Sequence, residues 1–159
     1  ERAAPKLAWP VYVAGEEEHP NGGAMDLHHV HKLGKLSTRQ MIDWYARASI
    51  YALPARYEPF GLSALEAALS GCALVLGDIP SLREVWGDAA VFVAPDGDTQ
   101  LEAAINELAS DHVRLGEMSD RAWLRAKRYS PERMARQYMD ALRQAGLVSA
   151  STAAQIGGI

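Results

Sequence analysis

The sequence predicts an α/β fold, a parallel sheet flanked by helices, from two observations. Short apolar segments of the strand type alternate along the 159 residues with segments that carry helix-start signals and helical periodicity. Strands that are short, apolar and separated by helices form βαβ units, in which helices cover both faces of a parallel sheet. Apolar residues make up 48% of the chain and charged residues 23%, which is ordinary for a globular domain with its own core.

Five segments have the composition of strands, because they are apolar, partly β-branched and end in Gly or Pro. The first of them is predicted to be a buried strand. It is followed by a predicted loop at 16–26, where Pro20 precedes an Asn and a Gly pair. The five strand segments are PVYVAG (10–15), HVHKLG (29–34), SIYALP (49–54), CALVLG (72–77) and AAVFVAP (89–95).

Helices are predicted between these strands and after the last of them. Ser37 and Gln40 have the spacing of a capping box, in which each side chain accepts from the backbone of the other. Pro80 and Pro131 stand at first helical turns, where the missing N–H of proline costs nothing. The helical segments are 37–48, 62–70, 80–87, 98–110, a further stretch to about residue 129, and 130–146.

The domain organisation follows from length and pattern. A chain of 159 residues corresponds to about one domain, and neither an internal repeat nor a low-complexity block interrupts it. We therefore predict one domain over residues 1–146. The segment 147–159 has no period and is predicted to be a flexible tail.

The bulk properties argue against several classes of function. A net charge of −4 gives no concentrated positive face for nucleic acid. Cys72 is the single cysteine and cannot form an internal disulfide, which favours a reducing, cytoplasmic compartment. No apolar run approaches the roughly 18 residues of a membrane span. His28, His29 and His31 have no Cys or carboxylate partners at metal-ligand spacing, so we expect no metal site among them.

The loop at 54–61, between the third strand and the next helix, holds the first candidate site residues. Ligands of parallel sheets bind outside the carboxyl ends of strands, often at helix N-termini. Glu58 lies in this loop, and Gly61 precedes the helix, where the absence of a side chain lets a ligand approach the backbone. The free N–H groups from about Leu62 and Ser63 can receive an anion.

A second carboxylate follows one turn into this helix. Leu62, Leu65 and Leu69 fall within roughly 60° of one another at about 100° per residue, so they are expected to mark the buried face. Glu66 lies about 40° from Leu62 and flanks that face. A carboxylate there requires donors, and sugar or ribose hydroxyls are suitable. From spacing alone, a solvated boundary charge at Glu66 and a plain loop charge at Glu58 remain the alternative.

The middle of the chain resembles the C-terminal half of a family 4 (group 1) glycosyltransferase, an enzyme of the GT-B fold. The matching stretch at 57–98 is YEPFGLSALEAALSGCALVLGDIPSLREVWGDAAVFVAPDGD. It contains an E-x-F-G motif followed by a second Glu, a helix of small residues and a V-x-P-x-D loop. The resemblance covers about residues 11–142. It implies a Rossmann-like sheet that lacks its usual central first strand, and a chain that is a fragment of a longer enzyme.

The resemblance assigns roles to individual residues. Glu58 would hold hydroxyls of the donor sugar and is the expected catalytic residue. Glu66 would accept hydrogen bonds from the ribose, and Leu36, beside Lys35, occupies the position whose backbone contacts the nucleobase. The donor sugar and diphosphate would be bound by Glu58, Phe60, Gly61, Leu62 and Ser63.

The resemblance also implies a reaction. A sugar would pass from a nucleotide-diphosphate sugar to an acceptor, with retention at the anomeric carbon and without a required metal. The acceptor, a sugar or a lipid, would be bound by an N-terminal domain that this chain lacks, so the chain alone is expected not to turn over. A lipid acceptor would bring peripheral membrane association of the full enzyme.

The alternative is a non-catalytic α/β module that binds a nucleotide or a partner protein. A receiver-type domain would have an aspartate cluster at the end of its first strand and a lysine late in the chain. The segment VAGEEE offers carboxylates but no such aspartates, and no lysine follows Lys127. A sugar-nucleotide epimerase or a phosphorylase of the same fold is a nearby variant of the enzyme hypothesis. The EPFG motif with its second glutamate favours the transferase, since an epimerase would not need it.

Overall fold

Strands and helices alternate as predicted in the computed structural model, which describes residues 1–15 and 27–147. The strands are β1 (Tyr12–Ala14), β2 (His31–Gly34), β3 (Ile50–Leu53), β4 (Ala73–Gly77) and β5 (Val91–Val93). The helices are α1 (Thr38–Tyr45), α2 (Leu62–Leu69), α3 (Pro80–Trp86), α4 (Asp98–Ser110), α5 (His112–Ala126) and α6 (Pro131–Gln144). The loop predicted at 16–26 and the tail from residue 148 lie outside the described residues.

The described strands form two parallel sheets. β1 pairs with β2, and the other sheet has the order β3-β4-β5. Among the described strands, β1 and β3 each pair along one edge only. The predicted α/β fold, with parallel strands flanked by helices, is confirmed.

The prediction that the first strand is buried is wrong. Tyr12 is 46% exposed and Val13 40% exposed. The ring centroid of Tyr12 lies 4.8 Å from that of His31, on which it stacks, and 4.6 Å from that of Trp44. The part of Tyr12 that is not exposed therefore packs against these two rings. A two-stranded sheet has too few neighbours to bury both faces of a strand, and apolar composition alone does not reveal this.

The core lies on both faces of the three-stranded sheet, and β4 is its centre. Every residue of β4 is buried. Leu74 and Leu76 pack with Leu82 and Trp86 on one face, whereas Val75 packs with Val93, Leu108 and Met118 on the other. Successive side chains of a strand point to opposite faces, so a continuous apolar run is what a doubly covered parallel strand requires.

Two helix starts have the predicted caps. The backbone N–H of Ser37 donates to Oε1 of Gln40 over 2.9 Å, and the N–H of Gln40 donates to Ser37 Oγ over 3.4 Å. Ser130 Oγ accepts from the N–H of Arg133 over 3.2 Å at the start of α6. These bonds satisfy amides that have no acceptor within their own helix.

The chain divides into two compact units, Glu1–Ala126 and Lys127–Ile159. The first contains both sheets and the helices α1 to α5, and the second contains α6. The predicted domain over 1–146 and the flexible tail at 147–159 stay predictions. Within the described residues, no helix is both long enough and apolar enough to cross a membrane.

Stability is expected to fall at alkaline pH because of two buried acids in the core. Burial raises the pKa of the Cys72 thiol from 9.0 to about 11 and contributes most to raising that of Tyr45 from 10.0 to about 12. The folded state therefore holds both protons more tightly than the unfolded chain does. The resulting stability is complete below the unfolded pKa values and is lost as pH rises through the folded ones.

Urea unfolding at several pH values from about 8 to about 11 measures this loss. Cys72→Ala removes one of the two groups, so its unfolding free energy should fall less steeply with pH than that of the unmodified chain. Equal slopes for the two proteins would contradict the assignment to Cys72.

Candidate functional site

The loop between β3 and α2 is fixed by hydrogen bonds that involve Glu58. Its Oε1 accepts from the backbone N–H of Gly61 over 2.9 Å and from that of Phe60 over 3.3 Å. The Ser81 hydroxyl, from the first turn of α3, donates to the backbone carbonyl of Glu58 over 2.6 Å. None of these three bonds uses Oε2, which accepts no hydrogen bond from the described residues. One carboxylate oxygen thus shapes the loop, and the other remains available.

Gly61 has a conformation and a neighbourhood that both favour glycine. Its φ is +82°, in the left-handed region, and the residue is buried. A Cβ at this position would lie 3.3 Å from Cδ2 of Leu82 and 3.7 Å from Cγ of Glu58. A side chain would therefore meet both backbone strain and crowding against Leu82.

Gly61→Ala is expected to destabilise the chain more than a matched glycine substitution. Gly71 also has a positive φ, +92°, but a Cβ there meets nothing within 4 Å. Gly71→Ala therefore measures backbone strain alone, about 1 kcal/mol or more, and Gly61→Ala adds crowding against Leu82. Urea unfolding of both variants checks this order, and an equal loss at the two positions would contradict it.

The first turn of α2 presents amide groups at the carboxyl end of β3. The N–H of Leu65 donates to the carbonyl of Gly61 over 3.0 Å, which is the first bond of the helical pattern. The amides of Leu62, Ser63 and Ala64 precede it and have no acceptor within the helix. Together with the positive end of the helix dipole, they form an arrangement that suits an anion.

The buried face of α2 differs from the predicted one. Leu62 is 68% exposed and Leu69 48% exposed, and only Leu65 of the three leucines packs against the core. The fully buried residues are Ala64, Ala67 and Ala68. The helix packs closely on β3, β4, α1 and α5, and small side chains permit that approach. The prediction of a leucine face is therefore wrong.

Glu66 lies on the opposite side of α2 from this alanine face. The angle between them is about 150° at about 100° per residue, so the prediction that Glu66 flanks the buried face is also wrong. Glu66 is exposed, and its carboxylate accepts no hydrogen bond from the residues the structure describes. It shares the exposed side of α2 with Leu62, one turn from the helix start.

Tyr51 belongs to the same group, although the sequence analysis does not identify it. Its hydroxyl donates to Oγ of Ser63 over 2.7 Å. Burial raises the pKa of Tyr51, the bond to Ser63 opposes this, and the charges of Glu58 and Glu66 raise it further. Both glutamates thus act electrostatically on one hydroxyl. Strand alternation places Tyr51 on the α2 side of β3, and this signal was available in the sequence.

Lys35 and Leu36, the predicted nucleobase residues, lie in the loop between β2 and α1. They follow Gly34 at the end of β2 and precede the cap residue Ser37. Leu36 is half-buried and Lys35 is exposed.

The histidine cluster has structural partners. Nδ1 of His29 lies 2.6 Å from Oε1 of Glu1, and the ring of His31 stacks on Tyr12. In the described ranges, no group of three or more His, Cys, Asp or Glu side chains is arranged to hold a metal ion. His19 lies outside those ranges.

A cavity of about 590 Å³ lies elsewhere, between β5 and α4. Asp78 and Glu107 are among its lining residues, and no lysine, arginine or histidine lines it. The lining offers no cation to a diphosphate, because Asp78 and Glu107 are each paired with an arginine outside the lining, Arg83 and Arg114, whereas the start of α2 offers amide donors. The cavity is therefore the poorer candidate for a nucleotide.

The chain belongs to the group 1 glycosyl transferases. The model of this family matches residues 23–128, about two thirds of the chain. The match includes the loop at 54–61, all of α2 and the strands β2 to β5.

Two curated relatives and one solved structure illustrate the similarity. A glycogen synthase of Mycobacterium tuberculosis is 38% identical over 81 residues, which are 50% of this chain and 20% of the relative. The O-antigen chain mannosyltransferase B of Escherichia coli is 31% identical over 109 residues, 69% of this chain and 29% of the relative. Anabaena HepE, solved in complex with UDP and glucose, superposes with a TM-score of 0.73 at 17% identity, over 90% of this chain and 43% of HepE.

The chain corresponds to only part of each of these relatives. The chain spans less than a third of either curated relative. The structural neighbours are GT-B enzymes, and at this identity the likeness to HepE shows the shared fold alone.

Proposed function

We propose that the chain is the donor-binding half of a retaining glycosyltransferase, which moves a sugar from a nucleotide-diphosphate sugar to an acceptor. The observation that carries this proposal is the constellation at the carboxyl end of β3. A fixed Glu58 loop, the open first turn of α2 and an exposed Glu66 one turn further on occur together in a member of the group 1 family. The complex of HepE with UDP and glucose supports a nucleotide of this class.

Each part of the constellation would bind one part of the donor. The amides of Leu62, Ser63 and Ala64 would hold the diphosphate at the positive end of α2. Glu66 would accept hydrogen bonds from the ribose hydroxyls, since an exposed carboxylate can accept from two hydroxyls at once. Leu36, beside Lys35, would contact the nucleobase through its backbone.

Glu58 would combine a structural and a catalytic role. Oε1 keeps the loop closed by accepting from Gly61 and Phe60. Oε2 would accept from a hydroxyl of the donor sugar and hold the sugar over the start of α2. The loop bonds would thus fix the direction in which the second oxygen acts, which is how a preorganised group contributes to a transition state.

The chemistry proposed for these groups is charge stabilisation on the departing diphosphate. The amides of the first turn of α2 are already oriented, so they need no rearrangement as negative charge develops. We propose that no metal or other cofactor takes part. The acceptor, a sugar or a lipid, would be bound by a separate N-terminal domain of a cytoplasmic enzyme, and the chain alone would bind donor without turnover.

Calorimetric titration of the chain with UDP, GDP and ADP tests this function. Saturable binding of one of the three is expected, with weaker binding of the other two. At a ligand concentration of 100 times the dissociation constant, the bound nucleotide should add about 2.7 kcal/mol to the unfolding free energy. A folded chain that binds none of the three would contradict the proposal.

Substitution of Glu58 separates its two roles. Glu58→Gln keeps an oxygen that can accept from Gly61, so the loop and the affinity for the nucleoside diphosphate should be retained. Affinity for the nucleotide sugar should fall by about tenfold, because a hydrogen bond to a charged acceptor contributes roughly 1.5 kcal/mol or more. Glu58→Ala should weaken both ligands, since the loop loses its bonds. Equal affinities of Glu58→Gln and the unmodified chain for the nucleotide sugar would contradict this role.

A further inference from the structure

Tyr51 makes a contact that the donor site as described does not use. It lies on β3 and donates its hydroxyl hydrogen to Oγ of Ser63 over 2.7 Å. The ring is half-buried and packs against the core cluster that contains Ala64 and Ala67. Tyr51 is therefore held by β3 on one side and by α2 on the other, with its polar atom directed at the first turn of the helix.

The direction of this hydrogen bond decides what Ser63 can do. A serine hydroxyl has one hydrogen to donate and two lone pairs that accept. The phenol of Tyr51 is the more acidic of the two hydroxyls and is the donor in this pair. Because Tyr51 uses one of the lone pairs, the hydrogen of Ser63 remains to be donated to another group.

Tyr51 is protonated at neutral pH and can donate, because the ordinary pKa of a tyrosine hydroxyl is about 10. Glu58 and Glu66 both disfavour ionisation of its hydroxyl, in addition to burial. Ser63 belongs to the turn whose amides have no acceptor within α2. Its hydroxyl hydrogen is therefore one more donor at the place where the proposed diphosphate would lie.

We propose that Tyr51 is a positioning residue for the diphosphate group: by donating to Ser63, it directs the Ser63 hydroxyl hydrogen toward a phosphate oxygen at the start of α2. This inference rests on the proposed function. It adds the contact between Tyr51 and Ser63, which are 12 positions apart in the sequence. This contact would determine how the diphosphate is recognised.

Tyr51→Phe removes the hydroxyl and keeps the ring. Its affinity for inorganic pyrophosphate and for the preferred nucleoside diphosphate should fall by about threefold to tenfold, the effect of one hydrogen bond. Affinity for the corresponding nucleoside monophosphate should fall less. Ser63→Ala should produce the same loss, and the double variant should lose no more than either single variant, because the two hydroxyls act as one unit.

Two further variants separate positioning from a general loss of structure. Ser63→Thr keeps a hydroxyl at the same position and should retain diphosphate affinity. Tyr45→Phe removes a hydroxyl from a neighbouring buried tyrosine, whose ring lies 5.9 Å from that of Tyr51 and whose hydroxyl has no hydrogen-bond partner among the described residues. Its affinities should be unchanged.

The outcomes distinguish this inference from the function on which it rests. If the chain binds a nucleoside diphosphate and Tyr51→Phe binds it equally well, the positioning role is wrong and the donor-site proposal stands. If pyrophosphate binds with the expected coupling between Tyr51 and Ser63 but no nucleotide binds more tightly, the positioning role stands and the donor-site proposal is wrong. Additive losses in the double variant, or no binding of either probe, would overturn the positioning role.

Discussion

Gly77→Ala is expected to disrupt the fold more than the same substitution at any other glycine that the structure describes. A Cβ at Gly77 would lie 2.3 Å from the carbonyl oxygen of Ala55 and 2.9 Å from its nitrogen. Both are backbone atoms of the loop that leads to Glu58, so no side-chain rotation can relieve the overlap. We expect a loss of about 3 kcal/mol, at the upper end of the usual range for overpacking, measured by urea unfolding.

Gly116 provides the matched control for this prediction. It lies within α5, and a Cβ there meets nothing within 4 Å. Gly116→Ala should stabilise the chain by roughly 0.5–1 kcal/mol, because alanine favours the helix more than glycine does. If Gly77→Ala unfolds at the same urea concentration as the unmodified chain, the close approach of β4 to the loop after β3 is wrong.

Glu66→Ala is expected to weaken nucleotide binding by about tenfold or more, because hydrogen bonds to a charged acceptor contribute roughly 1.5–3 kcal/mol. The affinity lost would be that of the hydrogen bonds from the ribose hydroxyls to the Glu66 carboxylate. The Glu66 carboxylate is exposed and accepts no hydrogen bond from the described residues, so its removal leaves no buried group without a partner. The loss should therefore appear in affinity and not in stability.

A nucleotide that lacks the 2′-hydroxyl isolates this contribution. The unmodified chain should bind the 2′-deoxy form of its preferred diphosphate more weakly than the ribose form. Glu66→Ala should bind the two forms with nearly equal affinity, and Glu66→Gln, which retains a neutral acceptor, should lie between them. A variant that still prefers the ribose form as strongly as the unmodified chain would show that another group reads the ribose.

The element pattern could be predicted because it depends on local signals. The capping box at Ser37 and Gln40 and the continuous apolar run of β4 each identify an element without knowledge of its neighbours. Which face of an element is buried depends on how closely other elements approach it. The alanine face of α2 and the exposure of Tyr12 in β1 are of this kind, and the predictions for both were wrong.

The candidate site also has features that local sequence predicts and features that depend on how elements pack together. Glu58, Gly61 and Glu66 could be named as candidates from their spacing around a helix start, but only the resemblance to the glycosyltransferase family favoured a binding role over solvated charges. The bonds that Glu58 makes within its own loop are also local, and a glutamate three positions before a helix-start glycine could have suggested them. The contact between Tyr51 and Ser63 joins two different elements and depends on how β3 and α2 pack.

The most direct test of the donor-site account is the pattern of backbone amide shifts when the preferred nucleoside diphosphate is added to the isotopically labelled chain. The account predicts that the largest shifts fall on the start of α2 and on Glu66, with smaller shifts at Lys35 and Leu36. Shifts confined to the residues around the cavity between β5 and α4, with α2 unaffected, would contradict it.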